Sequence, residues 1–122
     1  MRVIVVGAGI LGASAAYHLA IAGAEVVVVD AVHQGKATLA GAGIICPWAS
    51  KLDDPAWYRL SSASATYYPD LAAALAEAGE ADNGYRRVGA LITAEEPGEL
   101  FAAERRLKSR ARHAPEAGKI AG

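Results

Sequence analysis

The chain has 122 residues, of which 53% are hydrophobic and 20% charged, with a formal net charge of −1. So neutral a balance excludes a charge-driven binder of nucleic acid or anionic lipid, and the composition agrees with a soluble α/β domain. A single cysteine, Cys46, excludes an internal disulfide framework; it suits a reducing, cytoplasmic compartment and reads as a buried, inert thiol among Ile44, Ile45 and Trp48.

Residues 3–6, Val3-Ile4-Val5-Val6, form an apolar β-like run, and the alanine-rich residues 10–22 predict a helix ended by Gly23 as a C-terminal cap. Gly12, Ala16 and Leu19 are expected to turn toward the sheet. Between the two elements lies Gly7-Ala8-Gly9-Ile10-Leu11-Gly12. Each glycine has a physical task in such a turn. Gly7 allows the tight exit from the strand, Gly9 lets backbone approach a pyrophosphate, and Gly12 lets the helix pack close to the sheet. Backbone N–H groups at the helix start then point at the phosphates, and the positive end of the helix dipole favours an anion. Gly7, Gly9, Ile10, Leu11 and Gly12 are therefore candidate cofactor positions.

Residues 25–29 form a second β-like run, uncharged from Val26 onward, as expected of a parallel strand buried on both faces. It ends at Asp30, an acid placed to accept hydrogen bonds from the ribose hydroxyls of an adenosine. A 2′-phosphate there would meet like charge, and Ala31, Val32 and His33 offer no arginine to compensate, so NADP is disfavoured. The uncharged stretch 3–24 also has to be weighed as an export signal or membrane span. Its four glycines fit the strand, turn and helix instead, and cleavage after Ala22 would remove the phosphate loop.

From Ala31 the chain continues as a small-residue loop, Lys36-Ala37-Thr38-Leu39-Ala40-Gly41-Ala42-Gly43-Ile44-Ile45, rather than as an immediate second helix. Residues 57–78 predict a helix that Pro69 kinks or restarts, with Leu71 and Leu75 as an apolar stripe and Tyr67 and Tyr68 as packing aromatics. Ala81-Asp82-Asn83-Gly84 is the clearest turn. A strand pair is expected around residues 86–93, with Arg86 and Arg87 as charges on its solvent edge. Residues 99–113 predict a solvated helix whose apolar face is Leu100, Ala103, Leu107 and Ala111. His18, His33 and His113 lack the paired spacings of a zinc site, so no metal is expected. His18 reads as a polar position on the first helix and His33 as a loop residue facing water.

The glycine turn with Asp30, followed by Thr38 and the Ala42-Gly43-Ile44 run, resembles the FAD-dependent D-amino acid oxidase superfamily, particularly its glycine oxidase and sarcosine oxidase-like bacterial members. The resemblance implies an α/β fold: a Rossmann-like βαβ FAD-binding unit followed by helices and a short β-strand pair, as an incomplete domain. Residues 1–122 would be the amino-terminal part of an FAD-binding domain, with the fingerprint at 3–30 and a flavin-approach loop at 31–46, the substrate domain being absent. It adds cofactor positions: Ala31 beside Asp30, Ala37 and Thr38 along the pyrophosphate, and backbone amides of Ala42, Gly43 and Ile44 toward the flavin ring. It also implies FAD as cofactor and a small amine or amino acid as substrate, oxidised at the C–N bond by hydride transfer to flavin. The catalytic residues would lie outside these 122. Two other readings stand beside it: an NAD-binding Rossmann regulatory module, and a non-catalytic subunit that needs a second chain to complete the flavin site.

Overall fold

Five residues of mostly β-branched character make Arg2–Val6 a strand, β1, and Glu25–Val29 does the same as β2. The computed structural model describes residues 1–31 and 35–112, in a chain that divides into one unit over Met1–Ile44 and another over Ile45–Gly122. His33 and His113 lie outside the described residues.

In the first unit, β1 and β2 pair in parallel, Arg2 opposite Glu25 and Val6 opposite Val29. The crossover between them is helix α1, Ile10–Ile21. Its end is set by Gly23 at φ +83: the Gly23 amide donates to the Ala20 carbonyl and the Ala24 amide to that of Leu19, two bonds that satisfy carbonyls the helix would otherwise leave open. The chain therefore turns within three residues and enters β2. Gly12, Ala16 and Leu19 are all half-buried, as their spacing predicted.

The expectation that β2 is buried on both faces is corrected. Val27, Val28 and Val29 are exposed, and Val6 at the end of β1 is 84% exposed. One crossover helix can cover only one face of a two-stranded sheet, and no third strand joins it among the described residues. Within the stretch expected as loop, Ala37–Ala40 forms one helical turn, α2.

In the second unit, helix α3 spans Pro55–Glu77. Asp54 caps it, its Oδ1 accepting from the amides of Ala56 at 2.8 Å and Trp57 at 3.0 Å, and Pro55 occupies a first-turn position where no N–H is needed. Pro69 neither ends nor restarts α3. It removes one amide from the ladder, yet the helix continues through it to a Schellman-type end, where Gly79 stands at φ +102 and the Glu80 amide donates to the Leu75 carbonyl. Leu71 and Leu75 are half-buried, and Tyr68 stacks on Tyr85 with ring centroids 6.0 Å apart, whereas Tyr67 is exposed.

The turn at 81–84 is held by Asn83, whose side-chain oxygen accepts from the Tyr85 amide while its NH₂ donates to the carbonyls of Ala72 and Glu80. The strand pair expected around residues 86–93 is not formed. Gly89 at φ +79 breaks the extended path, and a strand cannot form without a neighbour to take its backbone bonds.

Helix α4, Pro97–Ala111, buries Ala103 and half-buries Leu107 and Ala111, but Leu100 is exposed. Its reading as a solvated helix is corrected at one residue. Arg110 turns inward, where Nη1 donates to the carbonyls of Pro47, Trp48 and Ser50 at 3.2, 2.9 and 2.7 Å, and Nη2 to that of Leu52 at 3.1 Å. Its guanidinium carbon stands 4.5 Å from the centre of the Tyr58 ring. A planar five-donor group thus gathers carbonyls around the 3-10 turn Pro47–Ala49, where the Pro47 carbonyl also accepts from the Ser50 amide. Cys46 just before this turn is half-buried rather than fully buried.

Candidate functional site

The ladder between the strands runs one step past β1: the Gly7 amide donates to the Val29 carbonyl at 2.7 Å. That bond brings the glycine turn against the end of β2, where Asp30 follows. Gly7 takes φ +101, a left-handed conformation that a side chain strains. The constraint on Gly12 is one of space instead. A Cβ there would lie 1.8 Å from the Gly7 carbonyl oxygen and 3.5 Å from Cγ1 of Val5. Gly12 is thus what allows α1 to start beneath the turn, with the contact made chiefly to the turn rather than to the sheet.

The helix ladder begins with the Ala13 amide donating to Gly9, so the amides before it have no acceptor within α1. Side chains from elsewhere in the unit come to this opening. The Ala8 amide donates to Oδ1 of Asp30 at 3.0 Å, and the Ile10 amide donates to Oγ1 of Thr38 at 2.9 Å. Thr38 sits on the first turn of α2, which lays its hydroxyl across the start of α1 and within 3.1 Å of where a Cβ on Gly9 would be. The second carboxylate oxygen of Asp30, Oδ2, is ion-paired with the Lys36 ammonium.

The structure therefore brings together Gly7, Gly9, Ile10, Gly12, Asp30 and Thr38 from the candidate positions. Leu11 lies on the same first turn with its side chain exposed, and Ala31 is exposed beside Asp30. Ala37 opens α2. Ala42, Gly43 and Ile44 run on exposed from it, with Gly43 at φ +69. Sequence reasoning missed the Lys36 contact. Looking only at the residues next to Asp30, it found no arginine to compensate, whereas the residue just before α2, six positions on, returns a cation. The like-charge argument against a 2′-phosphate is weakened to that extent. The available signal was that Lys36 is the only lysine or arginine from residue 3 to residue 44.

Among the described residues no group of three His, Cys, Asp or Glu is placed to hold a metal ion, and no helix is long and apolar enough to cross a membrane. What the site offers is the positive start of α1, closed to side chains at residue 12 and crossed by the Thr38 hydroxyl at the Ile10 amide, with a carboxylate at the end of the next strand. That chemistry fits the diphosphate and ribose of a dinucleotide.

The fold and the site define a dinucleotide-binding βαβ unit. Within that class, the chain belongs to the DAO family of FAD-dependent oxidoreductases, whose profile matches residues 2–120. It is 50% identical over 117 residues to an uncharacterized oxidoreductase, YurR, of Bacillus subtilis, covering 96% of this chain and 32% of that protein. It is 41% identical over 71 residues to a glycine oxidase of Pseudomonas aeruginosa, covering 57% of this chain and 20% of the relative. Among solved structures, it is similar to the iminodiacetate oxidase IdaA of Chelativorans sp. BNC1, with a TM-score of 0.92 and 54% identity over 98% of this chain and 32% of that one. The chain thus spans about a third of the length of YurR and IdaA.

Proposed function

We propose that the chain is the amino-terminal part of the FAD-binding domain of an oxidoreductase that oxidises an amine or amino acid at a C–H bond beside nitrogen. The backbone of Gly7, Gly9, Ile10, Leu11 and Gly12 faces the diphosphate, Asp30 and Ala31 face the adenosine ribose, and Ala37 and Thr38 lie along the diphosphate. Ala42, Gly43 and Ile44 would lie toward the flavin ring, where their amides would offer hydrogen-bond donors to a group that accepts hydride. The bound flavin supplies the hydride acceptor. A reducing, cytoplasmic location fits the lone Cys46.

The observation that carries the cofactor reading is the meeting of Ala8, Asp30 and the start of α1 at one point. The names of two relatives narrow the substrate. Glycine and iminodiacetate share a nitrogen bearing CH₂–COO⁻, so we take carboxymethylamines as the substrate class. The methylene C–H bond would break with its electron pair leaving on hydrogen as hydride, and the nitrogen lone pair would form the C=N bond. Water then hydrolyses the imine to glyoxylate and an amine or ammonia.

The test is anaerobic addition of glycine, iminodiacetate and a 2-hydroxy acid of similar size to the flavin-loaded full-length chain. Bleaching of the visible flavin band by a carboxymethylamine, with none by the hydroxy acid, is the expected result. Tight NAD binding with no flavin uptake would replace the oxidase reading by the regulatory one.

A further inference from the structure

Across residues 3–44 the side-chain cations of lysine and arginine reduce to one, and it sits on the acid of the candidate site. Lys36 and Asp30 are both mostly covered, their side chains 30% and 25% exposed, so their attraction is less screened than that of a fully solvated pair. Asp30 is held from two sides, by the Ala8 amide on Oδ1 and by Lys36 on Oδ2.

A lone carboxylate beside the start of α1 would repel a diphosphate seated there, offsetting part of what the helix dipole contributes. Resting on the FAD reading above, we propose that Lys36 is a positioning residue for the cofactor: it fixes the Asp30 carboxylate in the orientation that accepts from the ribose and cancels the charge that Asp30 sets against the diphosphate. Lys36 thereby acts through Asp30, not as a direct ligand of phosphate. The fold supports this division of labour. Lys36 immediately precedes α2, and Thr38 two residues later bonds the Ile10 amide, so one short segment delivers a cation to the acid and a hydroxyl to the helix start.

The experiment measures the FAD dissociation constant of the full-length chain by flavin fluorescence, at low and high salt, for the wild type, Lys36→Gln, Lys36→Arg, Asp30→Asn and the Asp30→Asn/Lys36→Gln pair. Lys36→Gln should weaken FAD about tenfold at low salt, with a smaller gap at high salt where charge is screened, and Lys36→Arg should recover most of the loss. In the Asp30→Asn background the same Lys36→Gln change should cost less than about twofold, the non-additivity expected of residues that work as a pair. An equal loss in both backgrounds would make Lys36 a direct phosphate ligand and overturn the proposal. So would unchanged FAD affinity in Lys36→Gln, including the case in which only its urea midpoint falls, which marks a merely structural contact. A wild-type chain that binds no flavin would remove the FAD reading itself.

Discussion

The carbonyl oxygen of Gly7 occupies the space into which a side chain on Gly12 would project, 1.8 Å from the position of its Cβ. Both atoms of this clash belong to the glycine turn or the first turn of α1, so relieving it means moving the backbone that presents the amides. Gly12→Ala should destabilise the fold by about 1–3 kcal/mol, the range for overpacking a tight site, and release FAD from the full-length chain. Urea unfolding and flavin retention check both halves. A variant with unchanged midpoint and full flavin would show that the turn yields freely.

The contact at Gly9 is gentler because the atom it would meet, Oγ1 of Thr38, belongs to a side chain. Gly9→Ala should mainly displace the Thr38 hydroxyl from the Ile10 amide. Thr38→Ala removes the same hydrogen bond, at a cost of about 0.5–1.5 kcal/mol, while Thr38→Ser keeps it. The double variant Gly9→Ala/Thr38→Ala should therefore be less destabilised than the sum of the singles. Strict additivity in urea unfolding would contradict this coupling.

In the second unit, Arg110 gathers four carbonyls with two nitrogens and lies against Tyr58. Lysine has the charge but lacks the planar fork, so Arg110→Lys should recover less than half of the stability lost in Arg110→Ala, itself about 2–4 kcal/mol. Chemical denaturation followed by tryptophan fluorescence reports it directly, because Trp48 supplies one of the carbonyls. Equal stability of the lysine variant and the parent would reduce Arg110 to a point charge.

Exposed Ile4, Val6, Val27 and Val29 line the face away from α1 of a sheet that, among the described residues, has two strands and no further strand on either edge. Such a surface invites pairing with another copy. The 122-residue chain on its own should bind a hydrophobic dye and scatter light increasingly with concentration, and Val27→Lys, on the face away from α1, should reduce both. A monodisperse, dye-negative monomer would show that these faces are covered in solution.

Much of the first unit was legible in the sequence because its signals are local. Val3 to Val6, the glycine spacing, Gly23 and the apolar run up to Asp30 each restrict a few consecutive backbone angles, and together they set β1, α1 and β2 to within a residue or so of where they lie. The expectation for residues 86–93 failed for the opposite reason. A strand depends on a partner, and its composition alone does not supply one.

The sequence by itself determined the βαβ unit, its glycine turn and the acid at its end, since helix and turn propensities act between near neighbours along the chain. Only the tertiary structure decided that Asp30 reaches the Ala8 amide and Lys36, that Thr38 crosses to Ile10, and that Arg110 turns inward. Those contacts join residues from 6 to 63 positions apart, and their geometry exists only once the intervening elements have packed.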